Sequence, residues 1–215
     1  ESTKIKLLEA LQKVFNGEDN PVEFQQASLK ILHKKGEYSN PSNWRGIALK
    51  EAAAKLLSSI INQRLLSIIS VHGVENQYGA QRGKGCRDGT FSLKSALQTR
   101  RLHNQETWVL FADLIKAYDT ANHELLFALL KHYGAQPNLV RIIRQLYTGM
   151  KLNLEFMKQK REINYTIGVQ QGDNMAPVLF LFIMQAFAET LEVKWKYEWE
   201  LNAPEYNFMN KGKTL

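Results

Sequence analysis

Asp113 closes an apolar run, Trp108–Ala112, inside the segment WVLFADLIKAYD. If that run is a β-strand, Val109, Phe111 and Asp113 share one face. A carboxylate at the inner end of an apolar strand is costly unless something satisfies it. A divalent cation is one solution, because Mg²⁺ is hard and takes carboxylate oxygens together with substrate phosphates. Two such ions can run a phosphoryl transfer, one activating the attacking hydroxyl and the other clamping the leaving oxygens. A strand-end aspartate that caps the next turn is the plainer reading, and for one isolated Asp it is the stronger one.

The residues around Asp113 add to this. Tyr118 reads either as a ring lying against a nucleotide sugar, where it would exclude a 2′-hydroxyl, or as a core tyrosine. Asp119 reads as a local hydrogen-bond partner just ahead of a helix. Further on, IGVQQGDNMAPVLF (167–180) is a polar turn that opens into an apolar helix. Gly172 allows backbone to approach a ligand closely. The Gln171 amide both donates and accepts, which suits a sugar hydroxyl or a base edge. An ordinary loop before a buried helix is the alternative. Lys34, Lys35 and Arg45 are matched to phosphate by charge, Arg45 also by its planar fork, unless they form a solvated basic loop. In QYGAQRGKGCR (77–87), glycines separate Arg82, Lys84 and Arg87, so backbone could approach a phosphodiester chain. A flexible surface loop fits that composition equally well. Its Gly-Lys-Gly is not a P-loop, since the spacing and the Gly-Lys-Ser/Thr ending are absent.

These segments need a scaffold, and the composition provides for one. The 215 residues are 44% hydrophobic and 23% charged, which is globular and not disordered. Lys and Arg exceed Asp and Glu by 28 to 21, for a net charge of +7. That excess suits a polyanionic partner and equally a merely basic soluble protein. The single Cys86 excludes an intrachain disulfide framework and a multi-Cys zinc site. No N-terminal apolar stretch reads as a signal peptide, so the expected location is intracellular. The most apolar run, 176–188, contains Gln185 and reads as a buried helix too short for a bilayer. The chain begins at Glu1, not Met, which suggests a piece of a longer protein.

Hydrophobic spacing predicts helices over 1–20, 47–69, 90–104, 122–133, 137–147 and 176–191. Strands are expected at Ala27–Leu32 and Trp108–Ala112, with a hairpin over 150–167 turning near Lys158–Arg161. Asn122 is a plausible N-cap and Gly134 a stop. From Lys194 the tail alternates Trp195, Tyr197 and Trp199. Helices and strands interleave without a βαβ rhythm, so the expected class is α+β.

Taken in order, ILHKKGEYSNPSNWRGIAL, a helix ending in NQRL, ENQYGAQRGKGCRDG, FADLIKAYD and GVQQGDNMAPVLF resemble the reverse transcriptase domain of non-LTR (LINE-type) retrotransposons. The family versions run approximately as N-Y-R-P-I-S-L, Q-x-G-F, D-F-x-K-A-F-D and G-V-R-Q-G-x-x-x-S-P. Similarity spans about residues 29–190, and group II intron enzymes are more distant relatives.

The resemblance implies a helix-rich right-hand polymerase fold, with residues 1–104 as a fingers-like region and 105–215 as a partial palm. It implies that Asp113 is the first metal-binding aspartate, with the Leu114 carbonyl assisting and Mg²⁺ or Mn²⁺ as the ion. Tyr118 would be the sugar-selecting gate. Gln171 and Gly172 would line the nucleotide pocket. Arg45 and Lys34 would reach the triphosphate, and Gln77, Gly79 and Arg82 would lie along the template. The implied partners are an RNA template, a DNA primer and dNTP, in the nucleus or cytoplasm of a eukaryotic host and without a membrane.

There are departures from the family pattern. Gly46 stands where the family usually has Pro. Ala80 replaces the usual Phe after Gly79. Asn174 and Ala176 replace the usual Pro and Ser. The family's second carboxylate motif, aromatic-x-Asp-Asp, is absent: no Asp follows Asp173. Two-metal chemistry on one carboxylate strand is implausible. The 215 residues are therefore expected to be inactive alone, as part of a polymerase or as a non-catalytic domain that binds RNA or RNA–DNA hybrid.

Overall fold

A computed structural model of the chain describes residues 2–19, 21–156 and 159–199, without the side chains of 195–199. Helix α1 (Ser2–Asn16) leads into β1 (Gln26–His33), β2 (Trp44–Leu49), α2 (Ala52–His72) and α3 (Cys86–Leu102). Then come α4 (His123–His132), α5 (Pro137–Tyr147), β3 (Lys151–Phe156), β4 (Gln159–Asn164) and α6 (Ala176–Trp199). The described strands form one sheet in the order β2-β1-β3-β4. β1 pairs antiparallel with β2, placing His33 opposite Trp44 and Leu32 opposite Arg45. It pairs in parallel with β3, and β3 turns back antiparallel into β4. The class is mixed α+β, with helices and a small mixed sheet, as the interleaved pattern predicts.

The main core lies among the helices. Leu57, Ile61, Leu65 and Ile69 repeat every four residues along α2 and are fully buried. They pack with Leu126 and Leu130 of α4, Ile142, Ile143 and Leu146 of α5, and Leu179 and Phe182 of α6. α5 is amphipathic along its whole length, with Pro137 preset for the first turn. Asn122 caps α4 by accepting from the Leu125 N–H at 2.9 Å. A smaller cluster of Ala27, Ala48, Met150 and Leu152 closes one face of the sheet.

Several expectations need correction. The helix expected from Ile47 starts at Ala52, because Trp44–Leu49 pairs with β1 as a strand. Leu49, Leu56 and Ile60, apolar residues within the expected helix, are exposed. The stretch Trp108–Ala112 forms no regular element and makes no ladder. A strand needs a partner for its backbone groups, and none of the described strands lies alongside. Trp108 and Phe111 are consequently 87% and 81% exposed. The hairpin forms as expected, but Lys160 and Arg161 already pair within it, and Lys158 lies outside the described residues. α6 continues to Trp199, so Trp195, Tyr197 and Trp199 are helical and not an alternating tail.

The length of α6 matters for the membrane question, because Ala176–Lys194 is long and apolar enough by composition to cross a bilayer. Core helices meet the same condition, and the first half of α6 is core: Ala176, Val178, Leu179, Leu181 and Phe182 are buried. Farther along, Gln185 accepts from the Val74 N–H at 2.8 Å and donates to Glu189 at 2.7 Å. Tyr133 donates to the same carboxylate at 2.8 Å. Burial, and then the Glu189 charge, push the Tyr133 hydroxyl well above its ordinary pKa. This network ties the loop after α2 to α6 and α4.

Candidate active site

The two motif segments that flank the core meet through backbone. A short 3₁₀ turn, Ala117–Thr120, carries Tyr118 and Asp119. The Val169 N–H donates to Tyr118 O and the Gly168 N–H to Ala121 O, both at 2.7 Å. His123 Nε2 lies 2.7 Å from Gly168 O. Gly168 has φ +94°, and a Cβ there would fall 2.9 Å from Tyr118 O and 3.0 Å from Asp119 O. No side chain fits that gap. Gly168→Ala is expected to cost about 1–3 kcal/mol through backbone strain and crowding, read as a lower urea midpoint. An unchanged midpoint would show that the two segments are not held this closely.

The next turn docks on β2. The Ala48 N–H donates to Gln171 O at 2.8 Å. Gly172, at φ +109°, lies so close that a Cβ would be 2.6 Å from Ala48 O. Asp173 then turns inward and meets Lys50 Nζ at 2.5 Å, with side-chain exposures of 0% and 1%. The Lys50 ammonium also lies 5.9 Å from the centre of the Tyr147 ring. Burial raises the Tyr147 hydroxyl well above its usual pKa, and the Asp173 charge adds to this. The turn bearing Gln171 and Gly172 is therefore anchored on both sides, to β2 by backbone and to the core by an ion pair.

Arg45 lies on the same strand, exposed, three residues before Ala48. Lys34 follows β1, also exposed, and its N–H donates to Asn43 O at 2.8 Å. Gln171 Nε2 reaches Asp119 Oδ1 at 3.4 Å, a long contact. The Tyr118 ring stacks on Phe180 of α6 at 5.0 Å and is half-buried, and burial raises its hydroxyl pKa. The fold thus draws Tyr118, Gln171 and Gly172 into one group, with Gly172 against the strand that carries Arg45.

Asp113 and Leu114 sit in the irregular segment that leads into the Tyr118 turn, and both are exposed. That segment is tethered at its start by buried Arg100 of α3, which donates to Thr107 Oγ1 at 2.7 Å and Glu106 O at 2.8 Å. The described residues gather no group of three His, Cys, Asp or Glu able to hold a metal ion. Asp113 fits as one carboxylate donor and no more, so this set does not by itself make a divalent-metal centre.

Gln77, Gly79 and Arg82 lie apart, in the loop between α2 and α3. The Gln77 Oε1 accepts from the Gly79 N–H at 3.1 Å, and Lys84 Nζ donates to Glu75 O at 2.6 Å. Tyr78 bonds Ser92 of α3 at 2.7 Å. The loop is thus organised by its own side chains, with Arg82 exposed.

A family model described as reverse transcriptase (RNA-dependent DNA polymerase) matches residues 32–209. The chain belongs to the reverse transcriptase family. Among curated relatives, it is 26% identical over 174 residues to the Pol polyprotein of the type-1 retrotransposable element R2 of Popillia japonica. That match covers 80% of this chain and 24% of the relative. The type-2 element R2DM Pol polyprotein of Drosophila melanogaster is also 26% identical, over 80% of this chain and 16% of its own length. The TX1 transposon protein of Xenopus laevis is 24% identical over 82% of this chain and 14% of its own length. The resemblance to non-LTR retrotransposon reverse transcriptases is borne out, and the chain spans less than a quarter of these relatives.

Sequence reasoning missed two residues of this reverse transcriptase core. Lys50 lies outside every motif, and Asp173 stands inside one without a role of its own. The available signal was a lone cation ending a strand and a lone anion entering an apolar helix, each beside segments that had to be buried. Their pairing across 123 positions has no local signature.

Proposed function

We propose that this chain forms part of the polymerase domain of a retroelement reverse transcriptase. In the whole protein it would use an RNA template, a DNA primer and dNTP. Residues 1–104 serve as fingers and 105–215 as part of the palm. The observation that supports the reading most is the family match over residues 32–209, together with the backbone contacts that join the Tyr118 turn to Gly168–Gly172. In this reading Arg45 and Lys34 bind the triphosphate electrostatically. Gln171 and Gly172 line the nucleotide pocket, and Tyr118, braced on Phe180, limits the sugar. Gln77, Gly79 and Arg82 follow the template. Divalent cations, Mg²⁺ or Mn²⁺, would supply charge neutralisation at the transferring phosphoryl group in a two-metal transfer. Asp113, assisted by the Leu114 carbonyl, is this chain's contribution to holding them. An intracellular location in a eukaryotic host, nuclear or cytoplasmic and away from membranes, goes with this assignment.

A second reading is a non-catalytic domain that holds RNA or RNA–DNA hybrid. The net charge of +7 favours it, since a polyanion is attracted with or without chemistry. Primed dNTP incorporation on RNA with Mg²⁺ decides between them, run on these 215 residues and on a form extended along the reading frame. The extended form is expected to incorporate and the 215 residues alone are not. Absence of synthesis in both, with salt-sensitive hybrid binding retained, would establish the binding domain. In the active form, Tyr118→Ala is expected to relax rejection of ribonucleotides by about tenfold or more, the scale of one lost steric contact of 1–3 kcal/mol. Unchanged discrimination between dNTP and rNTP would remove the gate assignment.

A further inference from the structure

The loop between β1 and β2 holds a feature that the nucleotide pocket does not use. His33 and Tyr38 stack face to face, with ring centres 4.1 Å apart and planes 15° from parallel. Trp44 meets both edge-on, at 5.0 Å from His33 and 5.8 Å from Tyr38. Backbone and side-chain bonds fix this cluster. Trp44 Nε1 donates to Tyr38 O at 2.9 Å, and Asn43 Nδ2 donates to Glu37 O at 3.0 Å. Asn40 closes the far side by accepting from the Ser42 N–H at 3.0 Å and the Ser42 hydroxyl at 2.7 Å.

Despite this bracing, Tyr38 is 73% exposed. A large ring held rigid in water gains little from burial, and the hydroxyl alone would not require the stack. One ring face is covered by His33, which leaves the other open. Lys34, Lys35 and Arg45 surround the loop and are exposed, against the single anion Glu37. An open aromatic face beside several cations matches the two parts of an unpaired nucleotide, a π-face and a phosphate. A protein partner would call for a wider apolar patch, whereas here the ring has charged neighbours.

We propose that Tyr38, stacked on His33 and braced by Trp44, is a platform for an unpaired nucleobase of a single-stranded polynucleotide, with Lys35 engaging its phosphates. The platform rests on the nucleic-acid partner assigned above and adds a subsite at the β1–β2 loop. Base stacking of this kind is sequence-tolerant, because every base has a π-face. RNA and DNA share the chemistry.

The test is fluorescence anisotropy of labelled single strands with the 215-residue chain. The probes are rA12, dA12 and a twelve-unit abasic deoxyribose-phosphate strand, each titrated at several salt concentrations. The chain is expected to bind both base-bearing strands more tightly than the abasic one. Tyr38→Ala should lose about five- to a hundredfold in affinity for them, with little change for the abasic strand. Tyr38→Phe should keep wild-type affinity, because the ring is retained. Lys35→Gln should instead weaken all three strands and lower the salt slope by about 0.7. Base-bearing strands that bind wild type and Tyr38→Ala equally would overturn the platform alone. No binding of any strand at low salt would overturn the nucleic-acid assignment, and the platform with it. The RNA and DNA arms identify which strand the subsite prefers.

Discussion

Asp173→Asn is expected to lower the unfolding free energy by about 3–5 kcal/mol, the range for breaking a buried ion pair by removing one partner. The Lys50 and Asp173 side chains are 1% and 0% exposed and meet at 2.5 Å. Neutralising Asp173 leaves the Lys50 ammonium buried beside the Tyr147 ring with its counter-ion gone. The penalty is desolvation without compensation, so it exceeds the net value of the pair itself. A double variant separates the two quantities. Lys50→Met with Asp173→Leu removes both charges and keeps volume in the core. It should recover most of the loss, because apolar replacement of a buried pair is often neutral. Urea unfolding of the wild type, Asp173→Asn and the double variant reads all three, provided the slopes agree. A double variant as unstable as the single one would mean that the pair itself, and not the orphaned charge, carries the stability. The pair also anchors the Gln171–Gly172 turn against β2. The double variant can therefore fold normally and still bind nucleotide less well, which would mark the pair as a positioning device for the pocket.

Local signals carried most of the helical scaffold. α5 has the bounds its spacing implies, because six apolar residues recur on one face and Pro137 sets its start. Asn122 could be read as a cap because capping is decided within four residues. β2 was not legible, since WRGIAL becomes a strand only by pairing with β1. Its alternation is short and interrupted by Gly46, while the helix periodicity beyond it is strong. Trp108–Ala112 departs from expectation for the opposite reason. Its β-propensity is evident, but a strand is a relation between two segments, and the described residues provide no neighbour for it. The site divides in the same way. Ordered motifs pointed to Tyr118, Gln171 and Gly172 as candidates, and the fold brings their segments together. The Lys50–Asp173 pair and the His33–Tyr38–Trp44 cluster required three-dimensional contact to be seen.

Asp113→Asn should abolish primed nucleotide incorporation in the extended form while leaving template binding and stability nearly unchanged. The structure makes this variant unusually clean. Asp113 is exposed, and no hydrogen bond or ion pair among the described residues engages its carboxylate, so its folding role is slight. Surface changes of that kind usually stay within about 0.5 kcal/mol. The amide keeps the shape and removes the negative charge, which is the property a divalent cation needs from a donor. Charge stabilisation by such a cation contributes several kcal/mol to a phosphoryl-transfer barrier. At about 1.4 kcal/mol per tenfold, a loss of roughly a thousandfold or more is expected. Three measurements belong together: incorporation rate, hybrid affinity at fixed salt, and urea midpoint. A fall in rate with the other two constant ties Asp113 to the chemistry. Retained synthesis would sink the assignment and leave the exposed aspartate as a turn residue. A fall in all three would mean that the segment around Asp113 gains structural partners in the longer protein. In that case Asp113→Glu becomes the discriminating variant. It keeps the charge but moves it outward by one methylene, so a purely electrostatic structural role would survive it and a metal-donor role would not.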